Sequence, residues 1–322
     1  MTDFLAHWAQ CNAALPPQSP FVIRLPESDS TVKRPELLAL RDTLQARQIT
    51  VQSRLTDQGI ARAVINLQKA ALLEQFNQFT ARLDGFYRNS RFYEMRPYAP
   101  SLSDGQEAFT GPMVDAMTLW EKLNAGPAPA GVALPLLLPD GTDQGAFASA
   151  ISALQFAYID ERTKAQDTGL ARADRNLLQA KAYGILKAYR EAVPGSAVRE
   201  FPALVETLPR LTPLPGHTPA PVNASVVFEA PNTAKVVYDA SPEAMVQGYE
   251  LRGNVGEDYS DEDAVVIATN EPGEAREFVT PFGLNQPGAR VALKVYVILN
   301  TGNEAGSGAL FVQRPVSVPL AA

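Results

Sequence analysis

The sequence predicts a multidomain protein that is helical over its first two-thirds and a β-sandwich over its last third. Three observations predict this fold class. Apolar residues recur every seven positions in two long segments, and one stretch of sequence occurs a second time in similar form. Beyond Pro221 the spacing of apolar residues changes to every second position. At 322 residues the chain is long enough for two or three domains, each with its own core.

Composition and charge argue against several classes of function. The net charge of −7 is unfavourable for nucleic-acid binding, which needs a basic surface. No run approaches the roughly 20 apolar residues that span a bilayer, and Asp3 stands where a signal peptide would be positively charged. We therefore expect a cytoplasmic protein with neither a membrane nor a nucleic-acid partner.

Cysteine and histidine are scarce in this chain. Cys11 is the single cysteine and cannot form an intrachain disulfide, and the two histidines are His7 and His217. Most hydrolytic and metal chemistry depends on these residue types. The composition therefore favours a protein that is not an enzyme, with no cofactor, no metal and no catalytic residue.

Residues 1–35 are expected to be an irregular segment, because five prolines interrupt it between Pro16 and Pro35. A heptad series of apolar residues then begins, with one polar member: Leu37, Leu44, Val51, Gln58, Ile65, Leu72, Phe79 and Phe86. A second, less regular series follows later: Ile151, Tyr158, Ala165, Arg172, Gln179, Leu186 and Val193. The two series predict long helices over roughly residues 36–90 and 145–193.

The repeated stretch lies at the middle of both predicted helices. "DQGIARAVINLQKA" begins at Asp57, and "DTGLARADRNLLQA" begins 110 residues later at Asp167. This repeat predicts a duplicated helical domain over residues 36–207, an antiparallel bundle or coiled-coil-like pair. The Asp-x-Gly of each copy either turns the chain into a hairpin or lies within a continuous helix. The heptad phase continues through Gly59, which favours the continuous helix, and the hairpin remains the alternative.

The remaining segments complete the predicted order of domains. "TGPMVDAMTLWEKLNAG" predicts a short helix between the two copies. The proline-rich residues 208–221 predict a stiff linker that few contacts cross, so the parts on either side should fold separately. Short β-branched runs with an apolar period of two follow, and they predict a seven-stranded sandwich over residues 222–322.

The sandwich region, residues 219–317, resembles a fibronectin type III module. The resemblance rests on "PAPVN", "KVVYDASPEAMVQGYELRG" and "GLNQPGARVALKVYVILNTGNEAGSGALFV". Tyr238 stands where the family usually has tryptophan, and Val291 follows the Pro–Gly turn where tyrosine is usual. The loop before the last strand lacks Arg-Gly-Asp, so the resemblance implies no integrin-type adhesion. The whole chain is also similar to a group of bacterial proteins with long helices before such a module, a similarity that implies architecture but no chemistry.

Two segments are candidate binding sites. "GFYRNSRFYEMRPY", residues 85–98, interleaves arginines with aromatic rings, which can stack on bases or sugars, but such residues can equally cap the end of a helix. The loop "GEDYSDEDA" gathers carboxylates that could bind calcium, although a solvated acidic loop is commoner. Its acidic residues are Glu257, Asp258, Asp261, Glu262 and Asp263.

Arg62 and Arg172 are the equivalent charged residues of the repeat, followed by Asn66 and Asn176. They could bind an anion symmetrically, or they could meet carboxylates or carbonyls where the helices pack. No nucleotide-binding, metalloprotease or nucleophile-elbow motif occurs, and the Ser-x-x-Lys match at residues 30–33 lacks the motifs that should accompany it.

The function predicted from these observations is that of a non-catalytic structural or protein-interaction protein of bacterial type. It would bind a protein partner or self-associate as a homo-oligomer through its helices. The first alternative is a carbohydrate-binding module at a cell surface, using Tyr249 or Tyr259. The second is an enzyme with a carboxylate site, for which no specific pair of acids stands out.

Overall fold

The computed structural model describes residues 1–25, 30–129, 131–213 and 216–315. The helices are α1 (Thr2–Ala14), α2 (Arg34–Phe86), α3 (Gln106–Asn124), α4 (Gln144–Ala192) and α5 (Pro202–Glu206). The strands are β1 (Ile23–Arg24), β2 (Thr31–Val32), β3 (Ala224–Glu229), β4 (Thr233–Tyr238), β5 (Val246–Val255), β6 (Val265–Asn270), β7 (Glu277–Thr280), β8 (Arg290–Leu299), β9 (Glu304–Gly306) and β10 (Leu310–Gln313). A helical region followed by antiparallel sheets is thus confirmed.

The chain divides into two compact units. Unit 1 comprises Met1–Thr56 and Asp167–Ala322, and unit 2 comprises Asp57–Gln166. This division differs from the predicted order of a helical domain over 36–207 and a sandwich over 222–322, because halves of α2 and α4 group with the sandwich. The predicted domain bounds and the duplication themselves stay predictions.

The predicted irregular segment, residues 1–35, contains a helix. Helix α1 forms because the first proline is Pro16, so residues 2–14 contain no helix breaker. Its buried side chains recur at helical spacing on one face: Phe4, Leu5, His7, Trp8 and Cys11. In unit 1 this face packs with Leu37 of α2 and Tyr189 of α4 in one apolar cluster. After α1, residues 15–25 and 30–33 contain the short pair of β1 and β2 and no helix, and Pro35 lies in the first turn of α2.

Helices α2 and α4 both continue through the glycine of the repeated stretch. Both glycines have open space beside them, since a Cβ built on Gly59 or Gly169 would meet no atom of another part of the structure within 4 Å. Within unit 1 the two helices are antiparallel, as two contacts show. Arg175 donates a hydrogen bond to Gln48, whereas Arg54 lies 3.8 Å from Asp167.

Unit 2 has its core around Trp120 of α3, the predicted short helix. The Trp120 ring stacks on Phe79 of α2 at a centroid distance of 5.1 Å and lies 5.8 Å from Phe147 of α4. Its indole N–H donates to the carbonyl oxygen of Leu136 at 3.1 Å, so the buried ring has no orphaned donor. Leu72 and Phe79 of the heptad series thus pack with α3 and the first turns of α4.

The sandwich in unit 1 consists of two antiparallel sheets. One has the order β10-β8-β5-β6 with β9 also paired to β8, and the other has the order β3-β4-β7. Eight strands are therefore described here against the predicted seven, because β9 and β10 both pair along the edge of β8 that lies opposite β5. Alternate side chains of β4, β5 and β8 fill the core between the sheets.

Two core positions explain how this sandwich accommodates its departures from the fibronectin type III pattern. Tyr238, at the usual tryptophan position, stacks on Phe278 at 5.2 Å between ring centroids and lies 4.8 Å from Tyr249. Val291, at the usual tyrosine position, is buried against Gly283. Gly283 has a φ of 66°, a conformation that favours glycine, and a side chain there would collide with Val291.

Candidate functional site

A buried carboxylate in unit 1 joins the sandwich to the long helices. Asp263 lies in the loop between β5 and β6, and its side chain is 3% exposed. Arg175 of α4 donates a hydrogen bond from Nη1 to Asp263 Oδ1 at 2.8 Å, and Arg172 Nη2 lies 2.5 Å from Oδ2. Since Arg175 is only 1% exposed, this charge pair is shielded from water and from salt.

The backbone of the same loop is bound as well. Gln48 and Gln52 of α2 donate their side-chain amides to the carbonyl oxygen of Asp263 at 2.8 and 2.6 Å. Arg175 donates to the carbonyl oxygen of Glu262 at 3.0 Å, and its Nε and Nη2 donate to Asn176 Oδ1. Each nitrogen of the buried guanidinium therefore has a partner, which is what makes burial of this charge tolerable.

Helical spacing brings these side chains together. Gln48 and Gln52 are four residues apart on α2, and Arg172 and Arg175 are three residues apart on α4, so each pair shares one helix face. We name the set of Gln48, Gln52, Arg172, Arg175 and Asp263 the Asp263 latch. The predicted linker, residues 208–221, is thus bridged by buried contacts, which differs from the expectation that few contacts cross it.

Arg62 and Arg172, the equivalent residues of the repeat, both lie beside carboxylates, but in different surroundings. In unit 2, Arg62 Nε donates to Glu161 of α4 at 3.0 Å. The residue 110 positions before Glu161 is Val51, which is completely buried. Because Val51 offers no carboxylate, Arg172 has no such helical partner and pairs with Asp263 of the sandwich.

Two further acids of the loop, Glu257 and Asp261, also pair with protein side chains. Arg290 pairs with Glu257, and the Tyr296 hydroxyl donates to Asp261, whose other oxygen lies 3.8 Å from Lys294 Nζ. Burial and the hydrogen bond to Asp261 both raise the pKa of Tyr296. Among the described residues, no three His, Cys, Asp or Glu side chains are grouped as a metal site would require.

The arginine-rich segment at residues 85–98 packs mainly as a helix end in unit 2. Tyr87 is buried against the core, and burial raises its pKa. The ring of Phe92 lies edge-on to it, with centroids 6.3 Å apart. Arg96 pairs with Asp84 at 2.8 Å. The capping interpretation therefore accounts for these contacts, although Tyr98 is largely exposed.

The two tyrosines of the carbohydrate alternative do not present open rings. Tyr249 is buried in the sandwich core, and its hydroxyl accepts a hydrogen bond from the Ser241 N–H. Tyr259 is half-buried, and the ammonium of Lys294 lies 4.3 Å from its ring centroid.

Sequence reasoning did not foresee a polar cluster buried under α1. His7 Nε2 lies 2.7 Å from the Leu204 carbonyl oxygen and must donate, because a carbonyl only accepts. His7 Nδ1 then accepts from the Tyr189 hydroxyl at 2.6 Å, and Cys11 Sγ lies 3.5 Å from that hydroxyl. Burial raises the pKa of both Cys11 and Tyr189. The spacing of His7 and Cys11, four residues apart on one helix face, was the available signal.

A groove with both apolar and charged lining residues lies between α2 and α4 within unit 2. Its volume is about 270 Å³, and it is lined by Asp57, Ile60, Ala61, Val64, Ala157, Asp160 and Lys164. Large apolar side chains are exposed on the same helices in this unit: Ile60 by 46%, Leu67 by 61%, Phe156 by 70% and Ile159 by 57%. Exposure of this kind often marks an interaction surface.

Comparison with solved structures gives likenesses that each cover about a third of the chain. No family model and no curated protein matches the chain. An Fn3-like protein from Clostridium thermocellum is 22% identical, with the match covering 31% of this chain and 96% of that one, at a TM-score of 0.25. A human structure described as the forth FNIII domain is 27% identical over 35% of this chain and 91% of that one, at a TM-score of 0.26.

Pectate lyase PelI from Erwinia chrysanthemi, in complex with tetragalacturonic acid, is 16% identical over 29% of this chain, at a TM-score of 0.25. The match spans only 28% of that pectate lyase. The two antiparallel sheets and their strand order make the C-terminal region a fibronectin type III-like module, which confirms the resemblance in the sequence. In the described residues, no helix is both long enough and apolar enough to cross a bilayer.

Proposed function

We propose that the protein is a non-catalytic structural or interaction protein that self-associates through the helices of unit 2. The observation that carries this proposal is the exposure of Ile60, Leu67, Phe156 and Ile159 on the two helices that form the groove. Burial of apolar surface of this kind in a protein–protein contact is favourable, at about 25 cal/mol per Å². A symmetric dimer is the simplest assembly that covers such a surface in every copy.

The sandwich supports a structural role in a different way. The Asp263 latch holds it to α2 and α4 through both a charge pair and backbone hydrogen bonds. A module bound by its loop at two helices is presented in a defined orientation within unit 1, which suits a protein that positions a binding module. The free, buried thiol of Cys11 suits a reducing compartment, and we propose that the protein acts in the cytoplasm.

A non-catalytic role accounts for the placement of the titratable groups. The His7, Cys11 and Tyr189 side chains are buried and bonded to one another. The carboxylate of Asp263 is enclosed by two arginines, so it is closed to a substrate. Two other loop acids, Glu257 and Asp261, pair with Arg290 and with Tyr296.

The proposal is tested by measuring the mass of the full chain in solution by analytical ultracentrifugation over a range of micromolar concentrations. We expect a dimer, and we expect Leu67→Gln with Phe156→Gln to shift it to monomer. Leu177→Gln is the matched control, because Leu177 is 73% exposed on α4 but lies in unit 1, outside the groove. A strictly monomeric wild-type chain would contradict the proposed self-association.

A further inference from the structure

Gly59 and Gly169 are the third residues of the two repeated stretches, and each lies inside a long helix. Glycine in a helix interior is less favourable than alanine, so its presence calls for a reason. Packing is not that reason, because a Cβ at either position would meet no atom within 4 Å. Alanine would therefore fit at both sites without any displacement of neighbours.

Both glycines lie in helix segments that bury little apolar surface. In α2, residues 52–60 are all half-buried or exposed, between the buried Val51 and Ala61. In α4, the buried residues between 155 and 181 are Thr168 and Arg175, neither of which is apolar. These segments therefore lack the side-chain packing that holds most helices in proteins.

Each glycine also lies between helix segments that belong to different apolar clusters. In α2, Leu37 and Leu40 belong to the cluster around Trp8, whereas Ile65 and the residues beyond it belong to the cluster around Trp120. In α4, the last buried residue that belongs to the Trp120 cluster is Leu154. The first buried residue of α4 that belongs to the Trp8 cluster is Ala182. The division of the chain falls at Thr56/Asp57 and at Gln166/Asp167, within three residues of each glycine.

We propose that Gly59 and Gly169 are paired flexible points at which α2 and α4 open and bend. Local opening of a helix costs least where the backbone has the greatest freedom and few packed side chains resist it. The repeated Asp-x-Gly thus has a conformational role in both helices. Gly59 lies between Asp57 and Ile60 of the groove in unit 2, whereas Gly169 lies in unit 1, outside the groove.

Hydrogen exchange of the full chain provides the first test. Amides of residues 57–63 and 167–173 should exchange at least about tenfold faster than those of the packed segments 76–83 and 185–189. The double variant Gly59→Ala with Gly169→Ala should slow exchange at the glycine segments by about fivefold, the fold-change that corresponds to the helix-propensity difference between the two residues. Gly184→Ala is the matched control.

Gly184 also has no atom within 4 Å of a built Cβ, but it neighbours the buried Ile185 in the packed end of α4. Opening of residues 57–63 and 167–173 does not involve residue 184, so Gly184→Ala should leave exchange of those two segments unchanged. If the glycine segments exchange as slowly as the packed segments, or if the double variant leaves their exchange unchanged, the proposal is overturned.

Bending is measured separately with spin labels at Arg47→Cys and Asn77→Cys, two exposed positions of α2 on either side of Gly59. Cys11 is buried and can stay in place. The distribution of distances between the labels should narrow in Gly59→Ala and stay as broad as wild type in Gly85→Ala, whose glycine is equally open but lies beyond the labelled interval. Distance distributions of equal width in the wild type and in Gly59→Ala would overturn the proposal that α2 bends at Gly59.

Discussion

Arg175 of α4 donates a hydrogen bond to Asp263 of the sandwich across 2.8 Å, and both side chains are almost completely buried. The two residues lie 88 positions apart in the chain and on opposite sides of the proline-rich linker. A buried pair of this kind contributes little when replaced as a whole by apolar residues, but loss of one partner strands the other charge without a counter-ion. The latch therefore makes the sandwich and the helices of unit 1 interdependent.

Asp263→Ala should lower the free energy of unfolding by about 3–5 kcal/mol, because it leaves Arg175 charged, buried and without its carboxylate. Glu262→Ala is the control, since this neighbouring residue is exposed and contributes its backbone carbonyl instead of its side chain. Urea unfolding followed by circular dichroism measures both variants. A loss below about 1 kcal/mol in Asp263→Ala would show that the pair is not the main support of this contact.

Limited proteolysis within residues 208–221 should produce two fragments that elute together in gel filtration. The reason is that the Asp263 latch, including the hydrogen bonds of Gln48 and Gln52, remains after the linker is cut. In Asp263→Ala the same cut should release the sandwich as a separate fragment. Wild-type fragments that separate at micromolar concentration would mean that the linker, and not the latch, holds the two parts together.

Stability should fall as the pH rises above about 10. Burial raises the pKa of Tyr189 above its ordinary value of 10.0, so the unfolded chain loses this proton first and the folded state is disfavoured as the pH increases. The stabilising contribution is therefore complete below pH 10 and is lost above it.

Tyr189→Phe tests this pH dependence. The variant should be less stable by about 1 kcal/mol at pH 7, because it loses the hydrogen bond to His7, and its stability should decline less steeply between pH 9 and about pH 11. Urea midpoints across this range measure the slope. Identical slopes in wild type and variant would assign the alkaline loss to other groups.

Gly306→Ala should destabilise the sandwich by about 1–3 kcal/mol, because a Cβ at this position would lie 2.7 Å from Cζ of the buried Tyr296 ring. Arg252 lies over that ring at 4.1 Å from its centroid, and it is itself held by Glu304, so the ring cannot move away freely. Gly308→Ala is the matched control, since no atom lies within 4 Å of a Cβ there. Equal thermal midpoints in the two variants would contradict the predicted clash.

The heptad series was the most informative part of the sequence. Val51, Leu72 and Phe79 are buried as the series predicts, whereas Phe86, the last residue of α2, is 41% exposed. Helix α1 was missed because the prolines that follow it dominated the interpretation of the segment, although Phe4, Trp8 and Cys11 follow helical spacing.

The contacts of the Asp263 latch could not be predicted from local sequence patterns, since no periodicity relates residue 175 to residue 263. One signal did exist. Arg62 pairs with Glu161, and the residue of the other copy that corresponds to Glu161 is Val51, which has no carboxylate. Arg172, the counterpart of Arg62, therefore needs a partner outside the two helices. Asp263, counted among the acidic loop residues as a calcium ligand or as a solvated side chain, is the residue that supplies it.

The carbonyl oxygen of Asp263 accepts hydrogen bonds from both Gln48 and Gln52. The backbone of the loop between β5 and β6 is therefore bound to the helices, in addition to the side chain of Asp263. Insertions there would move this carbonyl out of reach, so the loop has little freedom in length. A designer who wishes to graft a binding peptide onto the sandwich should leave this loop intact. The turn from Glu271 to Glu274, where every residue is exposed, is the better site for an insertion.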